Sequence, residues 1–186
     1  DIFPISLKLQ QQPCLIVGGG HIAYRKAVLL QKAGAVISVI SPEILPELLE
    51  IVEQSQGQYV QSNFHDEINI RAYRLVIAAT DDKATNQNVF HVCELENVLV
   101  NSVDDPPHCR FMVPAIIDRS PLVVSIATNG QSPVLSRQIR TQLANTLVGV
   151  ISQTLIPKRD GSGRIAAMEI LSVTDACAAM IRDDKV

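Results

Sequence analysis

One segment constrains the fold of this chain more than any other: a glycine turn that joins an apolar run to a helical pattern near the N-terminus. The run Cys14–Val17 is continuously apolar, as expected for a strand buried on both faces of a parallel sheet. The turn Gly18–Gly20 follows, and residues 21–34 then carry apolar side chains at helical spacing, with Gly34 placed to end the helix. A second apolar run, Ala35–Ser41, completes a strand–helix–strand unit whose two strands are parallel.

The same alternation of apolar runs and helical patterns continues along the chain. It predicts a helix over Pro42–Gln56, a strand over Gln58–Gln61, a strand over Leu75–Thr80, a helix over Ala84–Glu96 and a fifth strand over Val98–Val103. Five strands with intervening helices predict an α/β fold with a Rossmann-type, doubly wound parallel sheet.

The character of the sequence changes after the fifth predicted strand. Two apolar runs joined by the turn-rich residues 118–121 predict a β-hairpin, and Ser132 as N-cap before Pro133 predicts the start of a helix. A hairpin and one helix bury little apolar surface alone, so we expect this small α+β unit to pair with a second subunit. The predicted organisation is a dinucleotide-binding domain over residues 1–113 and a dimerisation unit over residues 114–148.

Charge and hydropathy exclude several classes of protein. The formal net charge is −3, and lysines and arginines occur at most in pairs, so no nucleic-acid partner is predicted. No apolar stretch approaches the roughly 18–20 residues of a membrane span, and no secretion signal is evident, which predicts a cytoplasmic protein without a membrane partner. The four cysteines are far apart and share no ligand spacing with the histidines, so no metal site is predicted.

The glycine turn fits the dinucleotide fingerprint G-x-G-x-x-G/A. Gly18 permits a tight turn, Gly20 lets the backbone approach a diphosphate, and Ala23 allows close packing of helix on strand. The carboxylate that usually binds the ribose should end the second strand, yet Ser41 stands there and Glu43 follows two residues later. These residues leave the choice between NAD and NADP open.

Polar residues follow the fourth and fifth predicted strands, at the edge where such sheets bind ligands. Asp81 or Asp82 is interpreted as a cap of the next helix, and Thr80 as the better candidate for contact with the cofactor. Asn101 and Asp104 follow the fifth strand beside the same crevice. The residues alone leave Asp104 open between a solvated turn aspartate, which they favour, and a catalytic group.

Four motifs, in this order and spacing, resemble precorrin-2 dehydrogenase, the N-terminal module of bifunctional siroheme synthases, over residues 1–148. They are GGGHIAYRK, AATDD, NSVDD and TNGQSP. The resemblance implies NAD-dependent oxidation of the tetrapyrrole precorrin-2 to sirohydrochlorin by a homodimer. In some members it extends to insertion of ferrous iron, which is then a second substrate.

The resemblance also implies particular site residues. The family's catalytic aspartate falls on Asp104, which reverses the preference drawn from the residues alone. The implied cofactor contacts, together with those predicted above, are Gly18, Gly20, His21, Ile22, Pro42, Glu43 and Thr80. The implied substrate side comprises Asn101 and the loop with Thr128, Gly130 and Ser132. Candidate partners for the substrate carboxylates, with surface solvation as the alternative for each, are Arg110, Arg137 and Arg140.

Residues 149–186 depart from that family and resemble a fragment of a type IV pilus retraction ATPase. The pattern predicts a short helix, a turn at residues 160–163, a strand over Arg164–Val173 and a helix from Thr174. No Walker A motif occurs in the chain, so we expect no ATPase activity. The segment predicts a chimera or gene fusion, with a divergent tail of the dehydrogenase as the alternative. A catalytically impaired chimera that acts only as a dinucleotide-binding module is the alternative function.

Overall fold

The structure, a computed structural model, describes residues 3–65, 67–119, 122–128, 132–146, 149–157 and 164–172. The chain divides into two compact units, of which the first spans Phe3–Met112 and the second residues 113–186. Among the described residues, no helix is both long enough and apolar enough to cross a membrane.

The first unit alternates strands and helices along the chain. The strands are β1 (Pro13–Val17), β2 (Val36–Ile40), β3 (Tyr59–Val60), β4 (Leu75–Ala78) and β5 (Leu99–Ser102). The helices are α1 (His21–Lys32), α2 (Pro46–Gln54) and α3 (Lys83–Leu95). All neighbouring strands are parallel, in the order β3-β2-β1-β4-β5. The predicted doubly wound α/β fold is confirmed.

Both faces of the sheet are covered because its central strands are apolar on both sides. Along β1, Cys14 and Ile16 belong to the core that forms with α1 and α2, whereas Leu15 and Val17 belong to the core that forms with α3. Successive strand residues point to opposite faces, so one uninterrupted apolar run serves both cores. The chain reverses direction across the sheet between β1 and β4, which places the topological switch point at the carboxyl ends of these two strands.

The helix boundaries follow from glycine and proline. Gly34 follows α1 with a φ of +74°, and its predicted role as the helix stop is confirmed. The predicted start of α2 at Pro42 is wrong, because α2 begins at Pro46. A helix begun at residue 42 would need an N–H on Pro46 to bond the carbonyl of Pro42, and proline has none. Proline is tolerated in the first turn, so the helix starts where it stands.

A return segment covers the edge of β5. After β5 the chain makes a single 3₁₀ turn, Pro106–His108, and runs back antiparallel to the strand. The N–H of Arg110 donates to the carbonyl oxygen of Val100 at 2.7 Å. The amide of Asn101 donates to the carbonyl oxygen of Phe111 at 2.9 Å. The edge strand is thereby satisfied within its own unit.

The second unit contains the predicted hairpin and helix. Strands β6 (Ala115–Arg119) and β7 (Leu122–Ile126) pair antiparallel, and helix α4 spans Pro133–Thr146. The hydroxyl of Ser132 accepts the N–H of Leu135 at 3.3 Å, so its predicted role as N-cap is confirmed.

The predicted short helix after residue 148 is wrong. Strand β8 (Gly149–Pro157) stands there and pairs antiparallel with β9 (Arg164–Ser172) through all nine residues of each strand. β-Branched residues are frequent in β8 and favour a strand. Pairing with β9 then stabilises the extended conformation of this segment. The predicted turn at residues 160–163 and the predicted helix from Thr174 lie outside the described residues.

Candidate functional site

A cleft of about 740 Å³ opens at the carboxyl edge of the sheet, above the switch point. Four segments and the side of α3 line it. The segments are Val17–Ile22, Ile40–Leu45, Ser62–Phe64 and Ala79–Asp82, and the contribution of α3 is Thr85. All seven residues predicted to contact the cofactor lie in this lining, although they come from three separate segments of the sequence. Their individual roles stay predictions.

The three glycines of the turn serve different purposes. Gly18 has a φ of +122°, and a Cβ added to it would lie 2.4 Å from the carbonyl oxygen of Ala79. A Cβ on Gly19 would lie 1.9 Å from the carbonyl oxygen of Glu43. A Cβ on Gly20 would meet no atom of the described residues within 4 Å. The fold therefore requires Gly18 and Gly19, whereas the absent side chain of Gly20 leaves the floor of the cleft open for a close-fitting ligand.

Helix α1 begins at this floor without a charge or side chain to cap it. Gly20 is the N-cap, no side chain of the described residues caps the helix, and its first turn contains no acidic residue. The unpaired N–H groups and the positive end of the helix dipole are therefore free to meet an anion. Together with the open floor at Gly20, this end of the cleft fits the diphosphate of a dinucleotide.

The loop after β2 forms one wall and is held by hydrogen bonds to its backbone. The hydroxyl of Tyr59 donates to the carbonyl oxygen of Ser41 at 3.0 Å, and the N–H of Leu45 donates to the carbonyl oxygen of Gly19 at 3.0 Å. Pro42 and Glu43 are exposed between these anchors. The wall therefore presents an acidic side chain on a fixed backbone, which suits the acceptance of hydrogen bonds from ribose hydroxyls.

The loop after β4 forms the opposite wall and is ordered by a buried asparagine. The hydroxyl of Thr80 donates to Oδ1 of Asn86 at 2.8 Å, and Nδ2 of Asn86 donates to the carbonyl oxygen of Thr80 at 2.8 Å. With its proton so engaged, the Thr80 hydroxyl keeps a lone pair for a donor in the cleft. Sequence reasoning missed Asn86, although an asparagine one turn into the helix after AATDD was the available signal.

Asp82 caps α3, as one of the two aspartates was predicted to do. Its carboxylate accepts the N–H groups of Ala84 and Thr85, each at 3.1 Å, and the Thr85 hydroxyl at 2.6 Å. These hydrogen bonds hold the pKa of Asp82 below its ordinary value of 3.8, and the bond from the Thr85 hydroxyl contributes most. The carboxylate therefore has a structural role that accounts for its position in the cleft wall.

We expect Asp82→Ala to lower the Tm by a few degrees at neutral pH, because α3 loses its cap. A group with a depressed folded-state pKa contributes stability above its unfolded pKa and loses it as the pH falls through the folded value. The difference in Tm between wild type and variant should therefore close as the pH is lowered below about 4, measured by thermal denaturation. Asp81→Ala is the matched control. A difference in Tm between wild type and Asp82→Ala that persists at acidic pH would contradict the capping role.

Asp104 lies in the turn after β5, next to the cleft but outside the residues that line it. Its φ of +58° is in the left-handed region, and the preceding N–H, from Val103, donates to the carbonyl oxygen of Ala78 at 2.9 Å. Asn101, predicted on the substrate side, is 7% exposed. Its Nδ2 atom donates to the carbonyl oxygen of Phe111 and to the sulfur of Cys109. A substrate contact by Asn101 would therefore have to use its Oδ1 atom.

The side chains around the 3₁₀ turn are paired with each other. Nδ1 of His108 lies 2.8 Å from a carboxylate oxygen of Asp105, and the imidazole packs edge-on against Phe90. Arg110 forms an ion pair with Glu94 and lies 5.1 Å from the ring centroid of Phe90. The guanidinium of Arg110, a candidate partner for substrate carboxylates, is thus already engaged.

The loop predicted on the substrate side lies in the second unit. The hydroxyl of Thr128 lies 3.0 Å from the carbonyl oxygen of Ser132 and 3.2 Å from the hydroxyl of Ser136. Thr128 therefore ties its strand end to the start of α4. Gly130 lies outside the described residues.

An open glycine turn, an uncapped helix and an acidic side chain after the second strand define a dinucleotide-binding α/β domain. The chain belongs to the NAD(P)-binding family, whose model matches residues 5–115. The predicted nicotinamide dinucleotide cofactor is confirmed by this membership.

The chain is also similar to siroheme synthases and to a solved precorrin-2 dehydrogenase. It is 60% identical to the siroheme synthase of Acinetobacter baylyi over 166 residues, which are 89% of this chain and 34% of that protein. It is 42% identical to that of Methylobacillus flagellatus over 90% of this chain and 33% of that protein. The chain thus spans about a third of the length of these relatives. The structure of "SirC, precorrin-2 dehydrogenase" superposes with a TM-score of 0.68 at 28% identity, covering 77% of this chain and 70% of that one.

These relatives confirm the predicted resemblance and extend it beyond the predicted boundary. An alignment of 166 residues is longer than residues 1–148, so it includes part of the segment that follows. The predicted foreign origin of residues 149–186 has no support among them.

Proposed function

We propose that this chain oxidises precorrin-2 to sirohydrochlorin, with NAD as the hydride acceptor. The observation that carries the proposal is the likeness to the precorrin-2 dehydrogenase SirC, which extends over most of both chains at 28% identity. The siroheme synthases support the same reaction class. The chain is 60% and 42% identical to two of them, over about a third of their length. The cleft adds an independent reason, since its floor and walls fit a dinucleotide.

In the proposed reaction, bound NAD would supply the acceptor for the hydride that leaves the substrate. The amides at Gly20 and the start of α1 would hold its diphosphate, and Glu43 would accept hydrogen bonds from its ribose. Asp104 accepts the proton that leaves the substrate as the hydride departs, and it later releases this proton to water. One substrate molecule therefore yields one sirohydrochlorin, one NADH and one proton.

The assay uses the full chain with enzymatically prepared precorrin-2 and NAD under anaerobic conditions. We expect the absorbance of NADH and that of sirohydrochlorin to rise together in a one-to-one ratio. Binding of NAD by calorimetry without any tetrapyrrole oxidation would contradict the proposal and leave the chain a dinucleotide-binding module.

We propose NAD rather than NADP because of the charges in the cleft. Its described lining contains no lysine or arginine, whereas Glu43 and two aspartates contribute carboxylates. A 2′-phosphate would add negative charge without a cationic partner. We expect calorimetry to give a Kd for NADP at least about tenfold above that for NAD, the order of magnitude that a single unfavourable charge contact produces.

Glu43→Gln should lower the ratio of the Kd for NADP to the Kd for NAD, because the variant removes the carboxylate nearest to the second strand. Glu47→Gln, an exposed glutamate in the first turn of α2 outside the cleft lining, is the matched control. An unchanged ratio in Glu43→Gln would show that Glu43 does not set the cofactor preference.

We further infer that the chain acts as a homodimer in the cytoplasm and that its second unit supplies the dimer contacts. In that unit Val123, Val134 and Leu135 are 58%, 56% and 46% exposed, which supports a covering partner of apolar character. Insertion of ferrous iron into the product stays a prediction from the family resemblance.

A further inference from the structure

A half-buried cation that forms no ion pair with any described residue interacts electrostatically with Asp104, in the turn after β5. Lys26 is in the second turn of α1, between the fully buried Ala23 and Ala27. Its side chain is half-buried, and within the part of the chain that the structure describes it forms no ion pair and no hydrogen bond. A desolvated ammonium in this state is unfavourable until an anion reaches it.

The charges around Lys26 belong to elements packed against α1. Val103 and Phe111, on either side of the 3₁₀ turn, pack on the core that contains Ala23 and Ala27. Burial lowers the pKa of Lys26 from its ordinary value of 10.5. In order of size, the carboxylate of Asp104 opposes this shift, the neighbouring Arg25 adds to it, and Cys109 opposes it.

None of these neighbours neutralises the ammonium by contact. The thiol of Cys109 donates to the carbonyl oxygen of Ser102 at 3.1 Å, and the adjacent carboxylate of Asp105 is paired with His108. The site therefore contains a half-buried positive charge that interacts with Asp104 and makes no hydrogen bond to any described residue.

The other candidate cations of the first unit are less suitable for an anionic ligand. Arg110 is bound by Glu94 and stacked on Phe90, and Arg25 is exposed to solvent. Precorrin-2 carries acetate and propionate carboxylates around its rim, and each needs a cation or an N–H donor when it leaves water.

We propose that Lys26 binds a carboxylate of the tetrapyrrole substrate and so holds the reacting ring against Asp104. This inference rests on the proposed function and adds to it a substrate-binding residue on the helix that also holds the cofactor. The bound carboxylate gives Lys26 the direct ion pair that it does not form with any described residue.

The test measures tetrapyrrole and cofactor affinity separately in Lys26→Met, a variant of similar length without charge. We expect the KM for precorrin-2 and the Kd for sirohydrochlorin, followed by absorbance titration, to rise about 10- to 100-fold, the range for loss of a charged hydrogen bond. The Kd for NAD should change less than twofold. Lys26→Arg should recover most of the affinity, and raised salt should weaken sirohydrochlorin binding to wild type more than to Lys26→Met.

Arg25→Met is the matched control, because it removes the adjacent exposed charge and should leave both affinities unchanged. Unfolding temperatures of the three variants show whether the helix is intact, and removal of an unpaired desolvated charge should not lower them. A Lys26→Met protein with wild-type sirohydrochlorin affinity overturns the inference, as does one that loses NAD and the tetrapyrrole equally. A wild-type chain that neither binds nor oxidises tetrapyrrole overturns the proposed function itself.

Discussion

Asp104→Asn is expected to lower turnover of precorrin-2 by about 100-fold or more while the Kd for NAD stays within twofold of wild type. General acid–base catalysis contributes typically about 10²–10⁴-fold, and the amide of asparagine cannot accept the proton. The cofactor should be unaffected because Asp104 does not line the cleft that fits the dinucleotide. Single-turnover NADH formation measures the loss, and calorimetry measures the cofactor.

Asparagine is a sharper replacement here than alanine. Asp104 has a φ of +58°, a left-handed conformation that asparagine adopts far more readily than alanine does. Asp104→Ala would therefore combine the loss of the carboxylate with backbone strain of about 1 kcal/mol or more in the turn. The asparagine variant keeps the turn and tests the chemistry alone.

The matched control is Asp105→Asn, which changes the adjacent carboxylate. Its amide oxygen can still accept a hydrogen bond from Nδ1 of His108, so the 3₁₀ turn should persist. We expect its turnover to stay within a few fold of wild type. If Asp104→Asn keeps full turnover, or if Asp105→Asn loses as much, the proton is taken by another group.

The local features of the fold could be predicted from the sequence because they depend on neighbouring residues. An apolar run that is buried on both faces, followed by glycine and then a helical pattern, specifies β1, the turn and α1 without reference to the rest of the chain. The start of α2 could also be predicted from the sequence. Pro46 excludes a helix begun at Pro42, and the prediction of a helix over Pro42–Gln56 takes no account of it.

Features that depend on distant segments were not predictable in the same way. The pattern after Gly149 predicts a helix, and only the pairing of this segment with β9 identifies it as a strand. The role of Asn86 depends on the position of Thr80 across a loop, and the charge environment of Lys26 depends on residues that follow β5. Spacing along a chain does not report such contacts, since they arise from the pairing and packing of elements that are separate in the sequence.

A second large effect is expected from Gly20→Ala, and it should fall on the cofactor rather than on the fold. The backbone of Gly20 has a φ of −89° and a ψ of −172°, which alanine tolerates, and the added Cβ meets no protein atom within 4 Å. The lower preference for alanine at an N-cap and the reduced entropy of the unfolded chain are of similar size and opposite sign. The Tm should therefore move by no more than a few degrees.

The same methyl group would stand where a diphosphate approaches the amides of α1. Loss of two charge-assisted hydrogen bonds at about 1.5–3 kcal/mol each predicts a Kd for NAD about 100-fold or more above that of wild type. Calorimetric titration with NAD, and with ADP-ribose as the part that carries the diphosphate, should show the same loss for both ligands.

Gly18→Ala provides the contrast, because its glycine is required by the fold. A Cβ at this position lies 2.4 Å from the carbonyl oxygen of Ala79, at a φ of +122° that side chains rarely adopt. Strain of this kind costs about 1–3 kcal/mol before the steric overlap is added, so the Tm should fall by more than about 10 °C. If Gly20→Ala binds NAD and ADP-ribose as wild type does, then no diphosphate lies against the start of α1 and the proposed cofactor site is wrong. If it instead unfolds the protein as Gly18→Ala does, the fold itself requires Gly20.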